Sequence, residues 1–431
     1  MQKRVFLNLI VVFVFLTFRI VPLSFAENIQ DAWKTALSVN NRLQASKKNI
    51  ESMNQSLEAA KSARYPSLNI ESGYTILNEA PAAVVSIPNV PATQMPTAED
   101  RSLAYKTMAT LPLYTGGRIS SGIDAASAGL EGAIQDDMKS LLDIKMNVVD
   151  AYVGILRSRH GVDVSESNVE SLSSHVKDVT NFYEQGIITK NDLLSAKVSL
   201  SDAQQRLIQA ENALNVSQAA YNRLLARPLD YAVAIDDLSA EPVSINMQTL
   251  TEEALNKRPE LRSLSEQSLA LRHQAAGVRA SALPQVAISG GYSYQQNKYQ
   301  VYQDLWSATL GLTWELFDAG ISRHNANAIL QKAEAVNKIH DDIASVIALQ
   351  ARQASLEVAE TLKRIDVTKE AMAQADENLR VTKDRYREGV GTNTEVLDAE
   401  ALRVRSYTNY YNAVYDAVTA KFRLRYVVGD L

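Results

Sequence analysis

The chain of 431 residues contains no cysteine. This absence excludes disulfide bonds, thiolate metal sites and a lipid-bearing N-terminal cysteine. The formal net charge is −5, so the chain offers no polycation for nucleic-acid phosphates and we expect no nucleic-acid partner. Beyond residue 26, no stretch reaches the roughly 18 uninterrupted apolar residues that a membrane-spanning helix needs. If the mature protein crosses a membrane, we expect it to use strands.

Signatures of catalysis are also missing from the sequence. No phosphate-binding loop is present, and the pair Gly116-Gly117 alone predicts only a corner of the backbone. The histidines lack the i, i+4 pair with an acid that a zinc protease needs. We interpret them as isolated surface residues: His160, His175, His273, His324 and His340. We therefore expect no enzyme activity, no metal and no cofactor.

The N-terminus has the layout of a cleavable secretory signal peptide, residues 1–26. Lys3 and Arg4 precede an apolar run over 5–16, and a small-residue cleavage site follows. The mature chain is expected to begin near Glu27. The alternative is an uncleaved anchor helix, which the short apolar run disfavours.

The sequence contains one structural design twice. Residues 36–74 align with residues 254–292 at a constant offset of 218, and later segments align at an offset of 203. The two offsets differ because the first half has a longer loop between its aligned segments. We predict three parts after the signal peptide: a first structural repeat over 27–226, an equatorial linker over 227–247 and a second structural repeat over 248–431.

Each half is predicted to carry helices that pack as coiled coils. The first long helix covers about 118–185, which at about 1.5 Å per residue is roughly 100 Å; the short helices of that half cover about 27–64 and 189–225. The apolar seams of the two long helices each end three residues before a glycine, Gly186 or Gly389, which predicts tight helical hairpins. Apolar residues recur at steps of three and four, the spacing of a coiled-coil seam: Val169, Leu172, Val176, Val179 and Tyr183, then Met372, Ala375, Leu379, Thr382 and Tyr386.

Alternation of apolar and polar residues predicts four strands of about ten residues, the length of a tilted membrane strand. Aromatic residues lie towards the strand ends, as interfacial girdles require. Pro112 is compatible only with a strand end or a distortion. The connections 78–101 and 297–304 are predicted to be loops outside the cell. The predicted strands are 68–76, 103–113, 285–295 and 305–316.

Four strands cannot close a membrane barrel alone, because each unpaired backbone group in hydrocarbon costs several kcal/mol. Two copies would give eight strands and a filled lumen, whereas three would give twelve and leave space for passage. We therefore predict a homotrimer in contact with outer-membrane lipid. The alternative is a pair of ordinary amphipathic hairpins that pack on a soluble core.

With these features, the chain resembles the TolC-like outer-membrane efflux protein family over essentially the whole mature sequence. The most specific segments are 111–118 (LPLYTGGR), 316–320 (LFDAG) and the hairpins 183–196 and 386–399. The resemblance implies a mostly α fold with four strands per protomer in a twelve-stranded trimeric β-barrel, and long periplasmic coiled-coil helices. It also implies a tapered end that docks a periplasmic adaptor (membrane fusion protein) and, through it, an inner-membrane pump of the RND, ABC or MFS type.

The resemblance also implies roles for residues of the two hairpins. Glu395 and Asp398, one helical turn apart, match the acidic residues that line the family's periplasmic aperture, and Asp192 matches an acidic partner in the first hairpin. Tyr386 matches a tyrosine of the closing network, whereas Gly391 stands where the family has a basic residue. The candidates for adaptor contact are Gly186, Ile187, Gly389 and Val390.

Local structure offers a second explanation for some of these residues. Thr189 with Asp192, and Thr392 with Glu395, both fit a helix capping box, which needs no role in transport. Glu395 can cap its helix and line the pore at the same time. Asp398 lies too deep in its helix to cap, which favours pore lining over a plain solvated face. Turn chemistry alone explains the hairpin glycines.

The combined features favour an outer-membrane exit channel that passively conducts small molecules, such as drugs or toxic compounds, or secreted polypeptides. A type I protein secretion duct is a narrower alternative, which the sequence does not separate from drug efflux. A soluble periplasmic coiled-coil scaffold is the alternative from another class of protein. The scaffold predicts a monomer or dimer that needs no detergent, whereas the channel predicts a trimer that does.

Overall fold

The computed structural model describes residues 26–88, 91–239 and 247–431. The predicted signal peptide lies outside these residues except for Ala26, and so do residues 240–246 of the predicted linker. The first half contains α1 (Ile29–Val39), α2 (Asn41–Ser62), β1 (Ser67–Ile76), β2 (Ala82–Val85), β3 (Thr93–Pro96), β4 (Arg101–Tyr114), α3 (Arg118–Glu184) and α4 (Lys190–Leu224).

The second half repeats this order without the short hairpin of β2 and β3. Its elements are α5 (Met247–Lys257), α6 (Pro259–Ala280), β5 (Gln285–Gln295), β6 (Asp304–Thr313), α7 (Ile321–Arg387) and α8 (Asn393–Val428). The helices α3 and α7 have 67 residues each. Within the described ranges, no helix combines the length and apolarity needed to cross a membrane.

The short helix predicted over 27–64 is divided in two, so the prediction of one continuous helix was wrong. Asn40 stands between α1 and α2 in extended backbone, and its side chain accepts hydrogen bonds from the N–H groups of Arg42 and Leu43. Asparagine is a favoured N-cap residue for this reason. In the second half Pro259 begins α6, and a proline lacks the N–H that a continuous helix would need.

The four predicted strands form one antiparallel sheet in the order β1-β4-β5-β6. Its register places Glu71 opposite Lys106 on a face of small and polar residues. β1 and β6 are the outer strands of this sheet. The opposite face collects the large apolar residues of all four strands: Leu68, Ile70, Tyr74, Leu103, Tyr105, Ile288, Tyr292, Tyr294, Trp306, Leu310 and Leu312.

Aromatic residues lie at both ends of this sheet. At the loop end, the ring centroids of Tyr105 and Tyr294 are 4.9 Å apart and those of Tyr292 and Trp306 are 5.2 Å apart. At the helical end, four aromatic side chains are more than half exposed: Tyr65, Tyr114, Trp314 and Phe317. Two aromatic belts that flank an apolar band are typical of a membrane strand sheet.

Details of the strands and loops differ from the sequence-based expectations. β6 ends at Thr313, because Trp314 turns away and its indole N–H donates to the carbonyl of Ala282 at 3.1 Å. The connection 78–101 is not all loop, since it contains the hairpin of β2 and β3. The expected distortion at Pro112 is confirmed, as the register of β4 against β5 shifts between Pro112 and Tyr114.

Towards the hairpins the helices form two coiled-coil pairs, α3 with α4 and α7 with α8, which meet where α3 packs on α8. Towards the sheet, α6 packs on both α3 and α7. The second predicted seam is confirmed, with its last four residues buried. In the first seam, Leu172 and Val179 are buried as predicted. Tyr183 is exposed, so the assignment of Tyr183 to the seam was wrong. Phe182 packs into the core in its place. Near the hairpins one apolar core combines all four helices: Val179, Leu193, Ala196, Leu379, Tyr386, Val396 and Ala399.

A second core lies near the middle of α3 and fixes the start of the described chain. The carboxylate of Glu27 receives two hydrogen bonds from Arg227, at 2.8 and 2.9 Å, and one from the Tyr221 hydroxyl at 3.0 Å. The Tyr152 hydroxyl donates to the Glu27 carbonyl at 2.7 Å. The two ends of the predicted first repeat are therefore tied together beside α3.

Candidate functional site

The two predicted helical hairpins are present and have the same backbone geometry. Gly186 and Gly389 follow α3 and α7 with φ angles of +72° and +77°. The N–H of Ile187 donates to the carbonyl of Phe182 at 2.9 Å, and Val390 makes the equivalent bond at 3.0 Å. A Cβ on either glycine would meet no atom within 4 Å, so the left-handed backbone is the reason for glycine. The side chains of Ile187 and Val390 are 61% and 65% exposed beside these turns.

Both predicted capping boxes are confirmed. The Thr189 hydroxyl accepts from the N–H of Asp192 at 3.3 Å, and the Asp192 carboxylate accepts from the N–H of Thr189 at 3.2 Å. Thr392 and Glu395 make the corresponding bonds at 3.2 and 3.4 Å. Each acidic residue therefore holds the first turn of a returning helix while part of its carboxylate stays in solvent.

Asp398 lies on the exposed surface of α8, one turn beyond Glu395. Within the described part of the chain it makes no hydrogen bond or ion pair. It lines an open cleft of about 410 Å³ together with Asp202, Arg206 and Arg405. No described residue of the protomer binds this carboxylate, which contrasts with the capping role of Glu395.

Tyr386 is buried in the core where the four helices meet. Its ring lies 5.2 Å from the ring of His175 and 5.7 Å from that of Phe182. Burial, and then the negative charges of Asp192 and Asp178, raise the pKa of its hydroxyl. The hydroxyl is buried and has no hydrogen-bond partner among the described residues, which is an unfavourable state for a polar group.

Gly391 is required by the packing of the second hairpin. A Cβ at this position would lie 3.0 Å from the backbone nitrogen of Tyr386 and 3.3 Å from the carbonyl carbon of Arg385. A basic side chain would therefore displace the backbone. A different basic residue, Arg387, makes an ion pair between the two hairpins, and its guanidinium lies 3.1 Å from the Asp178 carboxylate.

A sequence model of the outer membrane efflux protein family matches residues 32–227 and 250–430. The chain belongs to this family. As a member of this family, the chain is an outer-membrane protein with periplasmic helices and is not an enzyme.

Two curated relatives of the family are similar to the chain in sequence. The alkaline protease secretion protein AprF of Pseudomonas aeruginosa is 24% identical over 300 residues, which cover 67% of this chain and 62% of AprF. The outer membrane protein TolC of Vibrio cholerae is 24% identical over 198 residues, which cover 43% of this chain and 45% of TolC. The chain thus spans less than two thirds of the length of either relative.

Solved structures of outer-membrane channels have the same fold. The CmeC channel of Campylobacter jejuni superposes with a TM-score of 0.79 at 14% identity, over 94% of this chain and 86% of CmeC. VceC of Vibrio cholerae superposes with a TM-score of 0.77 at 16% identity, over 93% of this chain and 96% of VceC. The predicted fold class, mostly α with a four-strand contribution to a barrel, is confirmed.

Sequence reasoning missed a set of polar contacts in this family member, between α3 and the coiled coil of α7 and α8. His175, interpreted as a surface residue, is 2% exposed, so that interpretation was wrong. Its Nε2 atom lies 2.8 Å from the side-chain carbonyl of Asn393. Glu400 is also buried and pairs with Lys383. Serine and histidine at four-residue intervals along α3 were the available signal, but this spacing also occurs on solvated helix faces.

Proposed function

We propose that this outer membrane efflux protein is the exit channel of a tripartite export system and that three copies build one barrel. The observation that supports the proposal most is the sheet with two open edges, one apolar face and one polar face. With the apolar face in lipid, the unpaired backbone groups of β1 and β6 each cost several kcal/mol. Pairing β6 of one copy with β1 of the next satisfies both edges, and three copies give twelve strands around a polar lumen.

The periplasmic end of this channel is lined by acidic residues in our proposal. Threefold symmetry would gather the carboxylates of Glu395 and Asp398 from three copies around one axis, with Asp192 nearby on the first hairpin. A ring of carboxylates in a narrow pore attracts cations and repels anions. The exposed carboxylate of Asp398, which has no partner among the described residues, supports contacts between copies in the closed state. The hydroxyl of Tyr386 is enclosed in the protomer's own core, so we propose that Tyr386 takes part in closing through the packing of the four helices.

The hairpins are the proposed docking site for a periplasmic adaptor. Each hairpin presents one exposed apolar side chain, Ile187 or Val390, beside Gly186 or Gly389. Six such tips in a trimer would form a ring at the periplasmic end. The adaptor in turn recruits an inner-membrane pump of the RND, ABC or MFS type, which supplies the energy for transport.

Two cargo classes fit this channel, small molecules and secreted polypeptides. Drugs and other toxic compounds are the cargo that we propose first, in keeping with the efflux family whose model spans both halves of the chain. Secretion of a polypeptide is the second candidate, and the similarity to AprF, a protein named for alkaline protease secretion, favours it. Deleting the gene and comparing drug sensitivity with the secreted proteome separates the two cargo classes.

The channel itself is tested by purification and electrical recording. We expect the protein to require detergent, to have the mass of a trimer and to conduct ions in a planar bilayer. A monomer or dimer that is soluble without detergent would instead support the periplasmic scaffold. Co-purification from the native envelope then identifies the adaptor and the pump.

A further inference from the structure

A cavity of about 520 Å³ lies on the polar face of the sheet, at the loop end. Its floor includes the cross-strand row in which Glu71 is opposite Lys106 and Lys106 is opposite Ser293. Its roof comes from the connection between β5 and β6. Small-molecule sites in proteins commonly have volumes of roughly 300–1,000 Å³. We call this cavity the mouth pocket, and the polar side chains that define it are those of Glu71, Lys106, Ser293, Gln295, Gln300 and Tyr302.

Hydrogen bonds to the neighbouring segments hold the roof of the mouth pocket in place. The N–H of Gln295 donates to the backbone carbonyl of Gln303 at 2.8 Å, and the Tyr294 hydroxyl donates to the side-chain carbonyl of Gln303 at 3.2 Å. Asn297 is only 3% exposed, and its amide nitrogen donates to the carbonyl of Thr97 at 3.0 Å. The roof is therefore ordered before any ligand binds, which lowers the entropy cost of binding.

The polar side chains of the mouth pocket have no partners within the described part of the protomer. None of the six makes a side-chain hydrogen bond or an ion pair to a described residue. Opposite charges that face each other on neighbouring strands often pair, yet Glu71 and Lys106 do not. The pocket therefore presents an acceptor-only carboxylate and a donor-only ammonium, beside amides and hydroxyls that both donate and accept.

This mixture of groups fits a neutral saccharide, because each sugar hydroxyl both donates and accepts hydrogen bonds. An anionic ligand would be repelled by Glu71 and a cationic ligand by Lys106, so the pocket favours neither sign of charge. An apolar ligand would displace water from the polar side chains and leave them unpaired, which is unfavourable. The ring of Tyr302 is 73% exposed and offers an apolar surface for the C–H face of a sugar ring.

We propose that the mouth pocket binds neutral saccharides that enter the barrel from the medium outside the cell. This inference rests on the proposed function, because only a barrel of three copies makes the polar face a lumen with its loop end outside. The pocket faces that lumen and not the lipid, so its ligand comes from solution and not from glycolipid headgroups. Three pockets would surround one lumen, and a bound saccharide would narrow the outer exit of the channel.

Current block by added sugars tests this proposal. Purified trimers are recorded in planar bilayers while maltotriose, chitotriose and mannotriose are added, one at a time, on the side of the loops. We expect at least one of these saccharides to reduce the current in a saturable way. Polyethylene glycol of the same mass is the control for a pure volume effect and should reduce the current without saturation. If none of the three saccharides gives a saturable block, or if polyethylene glycol gives the same block, the proposal is overturned.

A pair of matched variants assigns the block to the mouth pocket. The pocket variant combines Gln295→Leu with Gln300→Leu, which replaces two amides by apolar side chains of similar size. The control variant combines Gln285→Leu, on the same face of β5 at its other end, with Gln94→Leu in β3. We expect the half-blocking concentration to rise about tenfold in the pocket variant, as for the loss of two hydrogen bonds, and to stay unchanged in the control. The same half-blocking concentration in both variants contradicts the assignment.

Two further measurements keep the outcome decisive. If the pocket variant forms no trimer, Gln300→Ala alone changes only the roof and should raise the half-blocking concentration roughly threefold; an unchanged value again contradicts the proposal. Calorimetric titration of the detergent-purified trimer with the blocking saccharide measures binding without any current. Binding by a trimer that conducts under no condition supports the pocket and contradicts the channel, whereas a conducting trimer that binds no saccharide overturns the pocket alone.

Discussion

Individual side chains at the hairpins combine structural and functional duties. Glu395 caps α8 and is 46% exposed at its side chain, so the sequence-based choice between capping and pore lining is not exclusive. Asp398 has no structural partner within the described chain, which is consistent with the pore-lining role that we propose for its carboxylate. Tyr386 and His175 are buried beside each other, with their ring centroids 5.2 Å apart.

The carboxylates of Glu395 and Asp398 are expected to set ion selectivity. Because Glu395 caps α8, the test uses amides, Glu395→Gln with Asp398→Asn, which keep hydrogen-bond acceptors. We expect the cation-to-anion permeability ratio to fall by roughly threefold or more, since the ring that concentrates cations is lost. The control, Glu370→Gln with Glu377→Gln, removes the same charge from α7. Unchanged selectivity in the first variant would take both residues out of the pore.

His175 predicts a pH dependence of stability. Burial, reinforced by the nearby positive charge of Lys383, holds its pKa below the usual 6.5, against the opposing hydrogen bond that the imidazole makes to the side-chain carbonyl of Asn393. The unfolded chain then takes up the proton at a higher pH than the folded chain, so the free energy of unfolding falls as the pH drops below 6.5 and levels off below the folded-state pKa. The slope contributed is at most about 1.4 kcal/mol per pH unit.

Urea unfolding at pH 7.5 and 5.5 measures this effect. We expect His175→Gln to lose less stability between the two pH values than the wild type. The exposed His324 provides the control, because His324→Gln should leave the pH dependence as it is. Equal pH dependence in His175→Gln and the wild type would rule out His175 as its source.

Elements of the two halves are equivalent in order but not in packing. Gly73 in β1 and Gly291 in β5 occupy matching positions of the sequence repeat, yet β1 is an outer strand and β5 is an inner one. A Cβ at Gly291 would overlap the Thr107 carbonyl oxygen and lie 2.9 Å from the Cα of Met108, whereas a Cβ at Gly73 would meet nothing within 4 Å. The inner position therefore needs glycine for space.

The space at an inner glycine predicts opposite results for Gly291 and its neighbour Gly290, both in β5. Gly291→Ala should destabilise the pairing of β4 with β5 by about 1–3 kcal/mol, the usual effect of overpacking, and lower the temperature at which the detergent-purified trimer dissociates. Gly290→Ala should leave that temperature close to the wild-type value, because a Cβ there would lie 3.5 Å from the Ser307 carbonyl oxygen, an ordinary contact. Equal behaviour of the two variants would contradict the register of β4 and β5.

The whole molecule is an elongated object whose length follows from its longest elements. α3 and α7, at 67 residues each, are roughly 100 Å long. The ten-residue strands add about 25 Å when tilted as membrane strands are. No single apolar core spans this length, and the helices are stabilised instead by separate cores near the middle and near the hairpins.

The length of the assembled particle is a prediction at this scale. Electron microscopy of the detergent-purified protein should show a threefold particle about 125 Å long, with a short membrane belt at one end. The belt should enclose the strands and leave the helices outside it. A markedly shorter particle, or a belt around the helices, would contradict the arrangement of strands and helices proposed for the trimer.

Much of this architecture is determined by the sequence itself. The hairpin glycines, the two capping boxes, the distortion at Pro112 and the alternating strands are each encoded within a few neighbouring residues, because they depend on backbone conformation and on side-chain periodicity. The break at Asn40 is local too, because the side chain of Asn40 itself caps α2. The hairpin glycines, the capping boxes and the alternating strands recur in both halves, and the family model matches both halves.

Only the tertiary structure decided which residues of separate helices meet. The burial of His175, the pairing of Lys383 with Glu400 and the absence of space at Gly391 depend on the rotation and register of one coiled coil against another. A one-residue change in that register would turn the same side chains to solvent, and helical spacing alone does not select between the two outcomes. The sequence therefore determined the parts and their order, while packing between distant segments decided which polar groups became buried contacts.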